Sequence, residues 1–164
     1  MTWTRQHPPL PEIHGEPLNY QLSTYLYHCR EGGFDLSAPY QRGSVWTVDM
    51  RRALIRSLLM GIQPGAVYLS HLPYDPGRPE VAYRVIDGKQ RIETVMAFAA
   101  SEFSVPADWF GDDWLDPDQV DDGTVAYGTL SAPGRRFFDT LTMPAIVVDF
   151  TSAIEFEPTN LMKP

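Results

Sequence analysis

The sequence contains a single cysteine, Cys29, in 164 residues, which excludes an internal disulfide. Its four histidines, His7, His14, His28 and His71, are scattered, and with one cysteine they form no zinc-ligand spacing. No apolar run approaches the roughly 18 residues that suggest a membrane span. Nor does a charged-then-apolar segment open the chain as a secretory signal would. A cytoplasmic protein without a membrane partner is the expectation. A Gly-x-x-x-x-Gly-Lys-Ser/Thr stretch is also missing, so any phosphate chemistry here is not that of a P-loop.

What is present is globular. The chain is 43% hydrophobic, and its 15 prolines and 12 glycines imply many turns and short elements rather than a helical bundle. One domain is expected at this length. The net charge of −8 is unevenly spread: ten Lys/Arg stand against eight Asp/Glu up to residue 91, and three against thirteen beyond it. A protein that grips DNA nonspecifically usually shows a basic surface. An anion site here must therefore be local, built from the arginines of the first half.

Along the chain, residues 1–17 read as an extended, proline-containing arm and residues 151–164 as a tail, with the domain over 18–150. Leu18, Leu22, Tyr25, Leu26 and Cys29 recur at helical spacing, so a first helix is expected over 18–30, stopped by Gly32-Gly33. Cys29, on the apolar stripe of that helix, reads as a structural thiol. Phe34-Asp35-Leu36 is a short candidate strand. Thr47 is expected to cap a second helix with Asp49 in its first turn, Leu54, Ile55, Leu58 and Leu59 inward, and Gly61 as terminator. Arg51, Arg52 and Arg56 fall on its other side as a solvated face. Residues 66–70 and 81–86 read as neighbouring strands of one sheet. Residues 108–122 hold seven aspartates among Trp109, Phe110 and Trp114, without the spacing of a calcium loop. They read as an exposed acidic loop pinned by its aromatics. A short helix within 130–141 and a buried strand at 145–148 complete the fold.

The stretch Val85-Ile86-Asp87-Gly88-Lys89-Gln90-Arg91 organises the rest. An apolar strand runs there into a helix whose inner face is Ile92, Val95, Met96 and Ala99. Asp87 is expected as the N-cap and Gln90 as the N3 residue of a capping box. That arrangement leaves Lys89 and Arg91 unexplained, because cations in a first turn oppose the helix dipole by roughly 0.3–1 kcal/mol each. A bound anion reverses that sign.

Three stretches together carry a resemblance. They are Pro39-Tyr40-Gln41-Arg42-Gly43-Ser44-Val45-Trp46, then Leu58-Leu59-Met60-Gly61-Ile62, then Ile86-Asp87-Gly88-Lys89-Gln90-Arg91. In this order they resemble the N-terminal domain family of GmrSD-type restriction enzymes, and Arg135-Arg136-Phe137-Phe138 with Met143-Pro144-Ala145-Ile146-Val147-Val148 is similar to the family's next segment. The resemblance implies an α+β single domain, a ParB/sulfiredoxin-like small mixed sheet with surrounding helices. It implies binding and hydrolysis of an NTP, with Mg2+ as its companion, coupled to DNA restriction or defence. The family's Gln-Arg pair maps to Gln41 and Arg42, and its Asp-Gly-Gln-Gln-Arg motif to Asp87, Gly88, Lys89, Gln90 and Arg91. Lys89 stands where the family usually has glutamine, a change that suits a phosphate and leaves hydrolysis open.

Three readings follow. In the first, Gln41, Arg42, Gly88, Lys89 and Arg91 bind nucleotide phosphates, while Asp87, Gln90 and Arg91 serve any hydrolysis. The domain then lacks its own nuclease and works with DNA or a nuclease partner protein. In the second, a ParB-like shell acts as a non-catalytic interaction or regulatory module. In the third, Asp87, Glu93 or Asp49 holds a metal in a minimal DNA nuclease. No set of protein metal ligands is expected on spacing, and the oligomeric state is left open.

Overall fold

The computed structural model describes residues 15–37 and 46–149. Its centre is a five-stranded sheet in the order β1-β7-β3-β4-β2. The strands are β1 (Gly15–Gln21), β2 (Phe34–Asp35), β3 (Val67–His71), β4 (Tyr83–Asp87) and β7 (Thr142–Val148). Four α-helices accompany it among the described residues: α1 (Leu22–Arg30), α2 (Val48–Leu59), α3 (Lys89–Ala99) and α4 (Ala132–Thr140). A small separate hairpin pairs β5 (Val105–Pro106) with β6 (Thr124–Val125). The sheet is mixed: β7 runs antiparallel to β1 and parallel to β3, β3 antiparallel to β4, and β4 parallel to β2. This is the expected α+β single domain, an architecture consistent with the ParB-like class.

The first helix begins later than its periodicity predicts. Residues 15–21 form strand β1, and α1 starts only at Leu22. Leu18, Tyr20 and Leu22 satisfy a period of two as well as a helical one, and long-range pairing decides between them. β1 lies along β7 over seven residues, from Gly15 opposite Val148 to Gln21 opposite Thr142. Pro17, which has no N–H to donate, is tolerated because β1 is an edge strand. The segment read as an extended arm therefore ends in the sheet.

One core cluster takes in Leu22 and Tyr25 of α1, Ile55 of α2, Val67 and Leu69 of β3, Val85 of β4, and Ile92, Val95 and Phe98 of α3. α1 packs against α3 and α4, and α2 against α3. α3 is more deeply enclosed than a one-faced helix, since Thr94 and Ala97 are buried as well. α2 follows its sequence signals at both ends. Thr47 Oγ1 accepts from Met50 N at 3.3 Å. Gly61, at φ +72°, closes the C-terminus with Gly61 N bonded to Leu58 O and Ile62 N to Ser57 O, the pattern of a Schellman motif. Its arginine face is not simply solvated: Arg52 Nε donates to Ser104 O at 2.8 Å, and the Arg56 guanidinium lies 5.9 Å from the Trp109 ring centroid.

The acidic stretch is more ordered than a loop. Three short 3-10 turns, Ala107–Trp109, Asp112–Trp114 and Pro117–Gln119, fold it between β5 and β6. Phe110 is buried, and Trp114 stacks on Phe137 of α4 with centroids 4.6 Å apart and planes at 9°. Six of its seven aspartates are exposed, and Asp116 is half-buried. Among the described residues, no helix is long and apolar enough to cross a membrane.

Candidate nucleotide-binding corner

Val85 and Ile86 bury the end of β4, and Asp87 remains its last residue, paired across an irregular register with Tyr68 of β3. The turn into α3 is made by Gly88, at φ +99° and ψ +10°, which is the N-cap. The expected cap at Asp87 does not form. The left-handed turn takes one more residue than a direct strand-to-helix junction, so Asp87 stays in the strand and Gln90 occupies N2 rather than N3. A glycine brings no capping side chain of its own. Gln90 Oε1 accepts instead from Trp46 N at 3.3 Å.

Gly88 is required here for two reasons. Its φ lies where a side chain is strained, and a Cβ would stand 3.1 Å from Val67 Cα and 3.2 Å from Arg91 Nη2. The β3 backbone therefore presses directly on the turn. Arg91 Nη2 donates to Ala66 O at 2.9 Å and to Asp87 Oδ2 at 3.2 Å, tying α3 to the entrance of β3. Its Nε is buried without a partner. Lys89 Nζ donates to Leu36 O at 3.1 Å, just beyond β2, and lies 3.8 Å from Glu93 Oε1. Both cations that sequence reasoning leaves unexplained thus have protein acceptors. Their effect is to pin the first turn of α3 to the ends of two neighbouring strands.

The structure brings Asp87, Gly88, Lys89, Gln90 and Arg91 together at one corner. Gln41 and Arg42 lie outside the described residues. The residues that bracket their segment are both held at the corner, Leu36 by Lys89 and Trp46 by Gln90. Sequence reasoning missed Ala66, Leu36 and Trp46, which act through backbone atoms that no side-chain pattern marks.

The carboxylates of the nuclease reading each face their own cation: Asp87 with Arg91, Glu93 with Lys89, and Asp49 with Arg52. No group of three or more potential metal ligands is found among the described residues. His28 and His71 both pack against the Tyr83 ring, at 5.4 and 4.7 Å between centroids. Burial pushes the Cys29 thiol up to about 11, away from nucleophilic chemistry at neutral pH.

Comparison with known families decides the identification of the chain. The family of GmrSD restriction endonuclease N-terminal domains matches residues 25–152. The chain belongs to that family. None of the curated proteins and none of the solved structures compared with it matches. The GmrSD N-terminal match takes in β2 through β7, and so includes every described residue of the α3 corner.

Proposed function

We propose that this GmrSD-type domain binds the phosphates of a nucleotide at the β4–α3 corner and acts in a restriction- or defence-related process on DNA. One observation carries the reading: α3 begins at a left-handed glycine, which brings no capping side chain of its own, with the Arg91 guanidinium beside it. A helix N-terminus of this kind offers backbone N–H groups and a positive dipole end to an anion. Gly88, required by the close approach of β3, sets the turn from which those N–H groups start, and the guanidinium supplies charge-assisted donors. Lys89 contributes positive potential from its bond to Leu36 O. Gln41 and Arg42 are assigned to the same phosphates on sequence grounds. Mg2+ would accompany the nucleotide, with the exposed Asp87 as the nearby carboxylate. Chemistry, where it occurs, would rest on positioning and charge neutralisation, with Asp87, Gln90 and Arg91 as the residues at hand. DNA and a nuclease-bearing partner would be the macromolecules it serves.

The engagement of Lys89 and Arg91 by backbone carbonyls supports a second reading, a nucleotide-sensing interaction module without turnover. A thermal-shift panel of NTPs with and without Mg2+ tests both, because a ligand that binds the native state raises its melting temperature by mass action. The expected result is a shift for the wild type that is lost in Arg91→Ala while the far-ultraviolet spectrum stays native. An equal shift in that variant, or none for the wild type with any NTP, overturns the site. Binding without phosphate release selects the second reading.

A further inference from the structure

We infer that the hairpin joining β3 to β4 carries a separate oxyanion site that holds a backbone phosphate of DNA. The site is a cleft of about 200 Å3 lined by Leu72, Pro73, Asp75, Arg78, Val81 and Arg84. It lies at the start of β4, whereas the α3 corner lies at its end. Taking DNA as the source of the phosphate rests on the restriction-related reading above.

The hairpin is held in shape by its own backbone. Asp75 Oδ1 accepts from Gly77 N at 2.8 Å, Arg78 N donates to Asp75 O at 3.0 Å, Val81 N to Arg78 O at 3.1 Å, and Leu72 N to Ala82 O at 2.9 Å. Arg78 is thereby placed at the same cleft as Arg84 without any ligand. Neither guanidinium is used up by its carboxylate. Arg78 Nε stands 3.7 Å from Asp75 Oδ2, and Arg84 Nε 3.8 Å from Asp35 Oδ2, beyond hydrogen-bond range. Each carboxylate's Oδ1 accepts from its own turn, that of Asp75 from Gly77 N and that of Asp35 from the Ser37 hydroxyl. Both arginines therefore keep donors for an acceptor with matching oxygens, which phosphate provides, in a cleft they share with the Asp75 carboxylate.

The surroundings select a strand phosphate over a free nucleotide. Among the described residues, no aromatic side chain lines the cleft to receive a base. Tyr74, flanked in sequence by the lining residues Pro73 and Asp75, is 76% exposed and available to the sugar or base next to the held phosphate. Guanidinium contacts to the backbone with a neighbouring exposed aromatic are the ordinary means of positioning nucleic acid.

Fluorescence anisotropy with a short labelled duplex, titrated over salt, tests the assignment. Arg78→Gln and Tyr74→Ala change exposed side chains, so both proteins should melt like the wild type. Arg78→Gln is expected to weaken binding and to reduce the slope of log K against log salt by about one, the value for one lost phosphate contact. Tyr74→Ala is expected to weaken binding several-fold with the slope unchanged. Wild-type slope and affinity in Arg78→Gln, or no duplex binding by the wild type at low salt, overturns the inference. So does loss of an NTP thermal shift in Arg78→Gln, which would give the cleft to the nucleotide. An Arg78-dependent affinity for DNA in a protein that shows no NTP shift refutes the proposed function and leaves the hairpin site standing.

Discussion

Arg91 uses one nitrogen for two acceptors: Nη2 meets Ala66 O at 2.9 Å and Asp87 Oδ2 at 3.2 Å. The first acceptor is backbone and survives any substitution at Asp87. The second belongs to a side chain that is 57% exposed. Asp87→Asn therefore removes the ion pair and leaves the guanidinium where it is. Such an exposed pair contributes about 0–1 kcal/mol, so the urea midpoint should barely move. Nucleotide binding without Mg2+ should stay equal or tighten in calorimetry, because a carboxylate that repels phosphate has gone. Weaker binding in the absence of metal would mean that Asp87 itself contacts the ligand.

Gly88 sets the geometry on which the corner depends. An alanine there would hold a side chain at φ +99° and bring its Cβ against Val67 Cα and Arg91 Nη2. The backbone strain alone is about 1–3 kcal/mol. Gly88→Ala should lower stability by at least that amount in urea denaturation and reduce any nucleotide shift along with it. Unchanged stability would show that the junction has another low-energy conformation.

The elements with one unambiguous period were legible from the sequence, and those with two were not. Thr47, Leu54, Ile55, Leu58 and Gly61 fit a helix and nothing else, and α2 appears where they place it. Leu18, Tyr20 and Leu22 fit both a strand and a helix, and the partner that settles the matter, β7, lies more than a hundred residues away. The candidate site shows the same division. Its side chains could be named from the Asp87–Arg91 stretch. Their partners could not, because Ala66 O, Leu36 O and Trp46 N are atoms that every residue possesses and only the fold brings near.

Asp35 links the β2 edge to acid stability. Its carboxyl is held below the usual carboxylate value chiefly by the Ser37 hydroxyl, with the Ser37 N–H, Arg84 and Arg78 adding to this against the opposing effect of burial. A carboxyl lowered in the folded state binds its proton more readily when unfolded. Its stabilisation is then fully present above the unfolded value near 3.8 and is lost as pH falls through the lower folded value. Asp35→Asn keeps an oxygen acceptor for Ser37 but loses the charge, so it should be less stable than the wild type at neutral pH by about 1 kcal/mol, the usual difference between a hydrogen bond to a charged and to a neutral group. Urea curves at descending pH should show that gap narrowing below 3.8. A gap that stays constant into strong acid would remove Asp35 as its source.

Gly134 couples the acidic region to the rest of the domain. It is buried in the first turn of α4, and a Cβ on it would run into the backbone carbonyl of Trp114. That same carbonyl accepts from Ser131 N at 3.1 Å, and the Trp114 ring lies flat on Phe137 one turn further along α4. The Trp114 backbone cannot retreat without breaking the stack or the bond to Ser131. Overpacking of this kind usually costs about 1–3 kcal/mol. The strain in Gly134→Ala is relieved most cheaply by lifting the 3-10 turns away from α4, since the five-stranded sheet does not depend on them. Limited proteolysis should accordingly cut within 107–122 sooner in the variant than in the wild type, while α3 and the sheet keep their protection in hydrogen exchange. Equal loss of protection everywhere would mean that the acidic region and the sheet unfold as one unit.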